Sequence, residues 1–301
     1  MSKHFTLVKQ IQDTLQNKLC IGESKHLAKA DHTAQNGIYA YSTFRTYMKH
    51  ANYFAQYCKE KHGCKTLEQC RPYIDEWLSS RSRLSPYTQK LEAASLAKLY
   101  GCSTKNFVQT DTRNRDNITR SRGEKVRDSH FSEANHRDLV DFCRSTGLRR
   151  GELECLRGDS LTYKDGKAYI HITSGAKGGR ERFAPIIGDV AKVESMMKAA
   201  GSGKVFEKVP NGADIHGYRS DYATVIYKQH ARSYEACCKT RFWNREHFNG
   251  KGQSKGGFDN DSVYRMRGSH KGEWLDKEAM RIASEALGHN RISVVGEHYI
   301  R

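Results

Sequence analysis

Six side chains of this sequence are of the types that cutting a phosphodiester bond requires, and they fall in four separated pieces. These are "TGLRRGE" with Arg149, "GAKGGRERFAP" with Lys177, "HGYR" with His216 and Arg219, and "LGHNRISVVGEHY" with His289 and Tyr299. A phosphate attacked by an oxygen nucleophile gathers negative charge on its equatorial oxygens, and an enzyme working without a metal must supply fixed cationic donors there. Arginine suits this role because it stays protonated and offers a planar fork to two oxygens at once, which lysine does not. Arg149 and Arg219 are the candidates. The leaving 5′ oxygen needs a proton, and Lys177, on a hairpin turn, would give it. His216 and His289, of a type that titrates near neutrality, would manage the nucleophile's proton and orient the phosphate. A phenol with an ordinary pKa of about 10 attacks poorly alone, but neighbouring guanidiniums make its phenolate accessible, which makes Tyr299 the candidate nucleophile. Singly each piece is weak, since H-x-x-R arises by chance and a tyrosine near a chain end usually just packs. Their joint order and chemistry are far more specific.

The elements that must hold these residues divide along the chain. In the first third, "FTLVKQIQDTLQNKL" spaces Phe5, Val8, Ile11 and Leu15 as one apolar helical stripe. "STFRTYMKHANYFAQYCKEKHG" predicts a second helix, capped by Ser42, with Tyr47, Met48, Ala51, Phe54, Ala55 and Cys58 on one face. "TLEQ" has capping-box spacing ahead of "CRPYIDEWL", and "SPYTQKLEAASLAKLYG" is bounded by Ser85-Pro86 and Gly101. From 111 to 128 apolar periodicity stops and basic residues gather: Arg113, Arg115, Arg120, Arg122, Lys125 and Arg127. Such a linker would lie along a DNA backbone. Beyond it, Ser132 opens a helix that Gly147 stops, Asp165-Gly166 marks a hairpin, and Ala168, Ile170 and Ile172 alternate inward. The remainder reads as helical, with Asp276 capping "DKEAMRIASEALG". The expected fold is mainly α with a small antiparallel β-sheet. The expected division is a helical domain over 1–112, a linker over 113–128 and a catalytic domain over 129–301.

The four pieces resemble the tyrosine recombinases, or phage integrases, which share a catalytic core with type IB topoisomerases. "STGLRRGELECLRGDS" is similar to the family's Arg box, which points to Arg149 rather than Arg150, with Glu152 at an acidic and structural position. "KGGRER" followed by Phe, Ala and Pro is similar to the hairpin Lys segment, "HGYRSDYAT" to the box with His and Arg three apart, and "LGHNRIS" followed by Tyr299 to the final His and nucleophile. The resemblance implies a two-domain recombinase architecture, a helical core-binding domain followed by a mixed α/β catalytic domain. It also implies a site-specific recombinase, an integrase of the mobile-element kind, acting through a 3′-phosphotyrosyl intermediate without metal, ATP or other cofactor. Its partners would be double-stranded DNA, three further copies of the chain in a tetramer on two sites, and accessory DNA-bending or directionality proteins. One departure is the interval between Arg219 and His289, 70 positions, which predicts an insertion around 228–275. Its "KTRFWNREHF" and "NGKGQSKGGFDNDS" read either as a surface excursion that touches DNA or as a mobile loop with no role.

Composition agrees with a nucleic-acid partner: 51 Lys and Arg against 34 Asp and Glu give a net charge of +17. No apolar run approaches a membrane span and the N-terminus lacks a secretory h-region, so a soluble cytoplasmic protein, in the bacterial cytoplasm or nucleoid, is expected. The nine cysteines contain no C-x-x-C pair and read as reduced thiols. Two other functions use the same residues differently: a topoisomerase that relaxes DNA at any sequence, and a DNA-binding regulator that has lost catalysis.

Overall fold

The computed structural model describes residues 5–112, 131–176, 181–245, 256–267, 270–289 and 291–300. Arg113, Arg115, Arg120, Arg122, Lys125, Arg127 and Lys177 lie outside the described residues. The chain divides into two compact units, Met1–Thr119 and Arg120–Arg301.

The first unit is helical: α1 (Leu7–Gln16), α2 (Lys25–Ala30), α3 (Tyr41–His62), α4 (Leu67–Cys70), α5 (Ile74–Ser80) and α6 (Pro86–Tyr100). Local signals set several ends. Ser85 accepts from the Thr88 N–H with Pro86 in the first turn, Gly101 closes α6 at φ 63°, and Thr66 and Gln69 form a reciprocal capping box. Two expectations shift. The α1 stripe is Leu7, Ile11 and Leu15, while Phe5 and Val8 are exposed, because i, i+4 spacing sets the buried line. Helix α3 starts at Tyr41 after an extended Ala40, so Ser42 lies inside the helix and caps nothing. The core joins Ile11, Leu15, Phe54, Trp77 and Leu96, and each such fully buried side chain contributes about 1.5–3 kcal/mol.

Among the described residues the second unit has a 3-10 turn at Ala134–His136, then α7 (Arg137–Thr146) and α8 (Arg150–Cys155). A three-stranded antiparallel sheet follows: β1 (Leu161–Lys164), β2 (Lys167–Ile172) and β3 (Arg182–Pro185), with β2 in the middle. Asp165 and Gly166 both take positive φ, 49° and 73°, as a tight hairpin requires. Ala168, Ile170 and Ile172 point into a core with Leu148, Leu153 and Met197, the last from α9 (Val190–Ala200).

A second core joins α10 (Ile215–His230), α12 (Lys277–Ala286) and α13 (Ile292–His298) through Tyr222, Ile226, Met280, Ala283, Leu287 and Val295. Between α10 and α12 the chain is not simply helical. After α11 (Tyr234–Lys239) it forms two antiparallel ribbons, β4 (Phe242–Asn244) with β5 (Gly257–Asp259) and β6 (Val263–Arg265) with β7 (Trp274–Asp276). No helix among the described residues is long and apolar enough to cross a membrane.

Candidate active site

The site is assembled at the C-terminal end of α12. That helix leaves the carbonyls of Ala286 and Leu287 outside its own hydrogen-bond ladder, and arginines from three parts of the second unit come to them. Arg149 donates from Nη2 to Leu287 O at 3.1 Å, Arg219 donates from Nη2 to the same oxygen, and Arg182 donates from Nη1 to Ala286 O.

Arg149 sits at the extended N-cap of α8, directly after the turn that ends α7. The turn depends on Gly147, whose φ is 59° and where a Cβ would fall 2.2 Å from the Tyr222 ring. Glu152, one turn into α8, accepts from the Arg149 backbone N–H and from Arg149 Nη1, both at 2.7 Å, and from Arg182 Nη2 at 2.7 Å. Burial pushes the Glu152 carboxyl up, but the charges of Arg182 and Arg149 and the backbone N–H outweigh it and hold the group below the usual carboxylate range. Arg150 faces elsewhere: its guanidinium binds the carbonyls of Val209, Pro210 and Ala213 at 3.1, 3.0 and 3.0 Å. Of the paired arginines in this turn, Arg149 is therefore the one in the cluster.

Arg219 projects from α10, is 2% exposed, and also donates from Nη1 to the Gly147 carbonyl. Among the described residues no carboxylate pairs with it. Burial, then Arg149 and Arg182, push its guanidinium down to about 10, which leaves it charged at neutral pH. Among the described residues, the Nε–H groups of Arg182 and Arg219 have no acceptor. The cluster thus joins three guanidiniums to one carboxylate, with more donors than its own chain satisfies. The excess positive charge of the cluster suits an oxyanion such as a phosphate.

His289, two residues beyond Leu287, brings Nε2 to 3.5 Å from Arg219 Nη2. The turn between them is made by Gly288, at φ 67°, where a Cβ would lie 2.4 Å from Arg182 Cδ. Burial first, then Arg219, Arg149, Arg182 and His216, push the His289 imidazole down from 6.5 to about 3. It is neutral at pH 7 and can accept a proton or hold a phosphate oxygen through the tautomer that bears the N–H. A stability prediction follows from the sign. The folded value lies below that of an unfolded histidine, so the unfolded chain binds more protons between about 3 and about 6.5, and stability falls as pH drops through that window. Thermal midpoints of the DNA-free protein should decline more steeply with acidity in wild type than in His289→Asn. Parallel profiles would contradict this.

Tyr299 follows α13 and is 6% exposed. Its backbone carbonyl accepts from Ser220 Oγ at 2.5 Å and Thr224 Oγ1 at 3.2 Å, which ties the end of α13 to α10. Its ring centroid lies 5.0 Å from that of His216 and 5.2 Å from that of His289, and the Arg219 guanidinium carbon is 5.6 Å from it. His216 itself is exposed, in the first turn of α10. Five of the six residues singled out by type thus lie around one arginine cluster, while Lys177 is outside the described residues.

Arg182 is the residue that sequence reading missed. It lies within "KGGRER", five positions after Lys177, and the only available signal was its period-2 place on a strand whose neighbours Ala184 and Ile186 are buried. Among the described residues no three His, Cys, Asp or Glu side chains gather as a metal site.

No family model matches the sequence, and no curated protein matches it either. Solved structures do. The XerH site-specific recombinase bound to palindromic difH substrate, in a post-cleavage complex, aligns over 97% of this chain and 91% of its own with a TM-score of 0.52 and 14% identity. XerH in a pre-cleavage complex aligns over 97% and 92% at 0.49 and 16%, and the Tn1549 transposon integrase with circular intermediate DNA over 99% and 96% at 0.46 and 11%. The chain has the tyrosine recombinase fold, mainly helical with small antiparallel sheets.

Proposed function

We propose that this protein is a site-specific DNA recombinase of the mobile-element integrase kind, in which Tyr299 attacks the scissile phosphate. The observation that carries the reading is the arginine cluster: Arg149 and Arg182 share the carboxylate of Glu152, Arg219 shares the Leu287 carbonyl with Arg149, and the candidate nucleophile and two histidines adjoin them. In the proposed reaction the Tyr299 oxygen bonds to phosphorus as the bond to the 5′ oxygen breaks, giving a 3′-phosphotyrosyl link and a free 5′ hydroxyl. Arg149 and Arg219 hold the equatorial oxygens. His289, neutral at pH 7, accepts the phenol proton as the bond forms, and His216, whose ring centroid lies 5.0 Å from that of Tyr299, hydrogen-bonds the phosphate. Lys177 protonates the leaving oxygen. The 5′ hydroxyl of a second DNA then reverses the step, so the phosphate bond energy is conserved. The basic stretch from Arg113 to Arg127 follows the DNA backbone between a core-binding domain (1–112) and a catalytic domain (129–301), and four protomers act on two sites.

The XerH neighbour, described as bound to its difH substrate, supports DNA as the partner. The test is a plasmid carrying two copies of the DNA that flanks this gene, incubated with purified protein. Recombinant junctions from wild type and none from Tyr299→Phe are expected. Relaxation of any supercoiled plasmid without junctions would replace the recombinase with a topoisomerase.

A further inference from the structure

The ribbon of β4 and β5 has a feature the strand-cutting chemistry does not use. Trp243 and Phe258 are cross-strand partners, 48% and 52% exposed, with ring centroids 5.0 Å apart at 68°. The Arg241 guanidinium carbon lies 4.9 Å from the Phe258 ring centroid. On the opposite face of β4, Phe242 is buried, so the ribbon has an anchored side and an aromatic side. Trp243 is also held from behind: a Cβ at Gly256 would come within 2.5 Å of its indole, so this glycine lets backbone lie against the ring. Two large rings held side by side at the surface form an apolar patch of the kind that marks a ligand or partner surface.

The position of the ribbon says which ligand. Phe242, Trp243, Asn244 and Arg245 line a narrow cleft together with Ser284, Glu285, Ile292 and His289, the histidine of the arginine cluster. A molecule whose phosphate sits in that cluster therefore has its next groups beside the ribbon. Arg241 and Arg245 add positive charge at the rim, where Glu285 pairs with Arg245 at 3.5 Å, an exposed contact worth little. Flat π faces next to a phosphate, under guanidinium cover, are met by nucleobases.

We propose that the β4–β5 ribbon is a stacking platform for unpaired bases of the DNA strand next to the phosphate held by the arginine cluster, with Trp243 as the main contact and Phe258 as its support. The inference rests on the strand-exchange reading, in which bases beside the cut must leave their partners. The ribbon then keeps separated bases ordered until they pair with the second DNA.

The test compares two fluorescein-labelled DNA probes, a fully paired duplex and the same duplex with a short central bubble. Wild type is expected to bind the bubble more tightly. Trp243→Ala is expected to lose about tenfold on the bubble and less than about twofold on the duplex, and Trp243→Tyr to retain most of the preference. Equal losses on both probes, or none on either, would overturn the platform. Unchanged DNA binding with weakened self-association by sedimentation would also overturn it and assign the patch to a second copy of the chain. Thermal melting of each variant excludes misfolding, since both rings are exposed. Covalent adduct formation by Tyr299 is measured in parallel: adducts without a bubble preference refute this inference alone, whereas absence of adducts from wild type refutes the recombinase reading.

Discussion

Replacing Glu152 with glutamine is expected to destabilise the second unit by about 3–5 kcal/mol, lowering its thermal midpoint by about 6–20 °C, and sulfate is expected to restore much of the loss. The cause is charge balance. Glu152 is buried and carries the anionic charge shared by Arg149 and Arg182, while Arg219, 2% exposed, lies beside them with no carboxylate of its own among the described residues. A neutral amide of the same shape leaves three guanidiniums confined together, and it turns an acceptor of three hydrogen bonds into a group that must point N–H atoms at donors. Sulfate matches the charge and acceptor geometry of the proposed phosphate. It should therefore raise the midpoint of Glu152→Gln by clearly more than that of wild type, beyond its general stabilising effect. A variant that melts within about 2 °C of wild type would show that the cluster is not held by this carboxylate.

The second large effect separates two adjacent arginines. Arg149→Lys keeps a positive charge but loses the planar fork that binds Glu152 and Leu287 and that, in the proposed reaction, also meets a phosphate oxygen. The rate of adduct formation should fall by about 10²–10³, the usual loss for one preorganised donor to a developing anion, with DNA affinity changed less than about tenfold. Arg150→Lys should act differently, because Arg150 clamps the carbonyls of Val209, Pro210 and Ala213. It should lower stability and leave the per-molecule rate of folded protein nearly unchanged. The reverse pattern would exchange the roles of the two residues.

How far the sequence could be read depended on whether a signal was local. Helix α6 was legible because Ser85, Pro86 and Gly101 act within a few residues of its ends, and Asp165-Gly166 because both positions need positive φ. The phase of α1 was not, because Phe5 and Val8 are as apolar as Leu7, and only the surface of α3 decides which line is buried. Strands β4 to β7, of three residues each, are too short to display an alternation.

The candidate site was legible as residue types in order, but its logic was not. That three arginines converge on the last carbonyls of α12 is a long-range fact, with partners 104 and 138 positions apart for Arg182 and Arg149. Arg182 in "KGGRER" reads as surface charge, yet it is 7% exposed and shares Glu152 with Arg149. Likewise His289 has the sequence appearance of an ordinary titrating histidine, and it is burial first, then its cationic neighbours, that push it down to about 3.

The central claim, that Tyr299 becomes covalently linked to DNA, is tested most directly by capture. Wild type and Tyr299→Phe are incubated with the DNA flanking the gene, non-covalent complexes are stripped with detergent, and protein-linked 3′ ends are sequenced. Adducts are expected from wild type, clustered at one sequence, and none from Tyr299→Phe. An adduct that persists in Tyr299→Phe, or wild-type protein that binds the DNA tightly yet leaves no linked 3′ end, would contradict the claim.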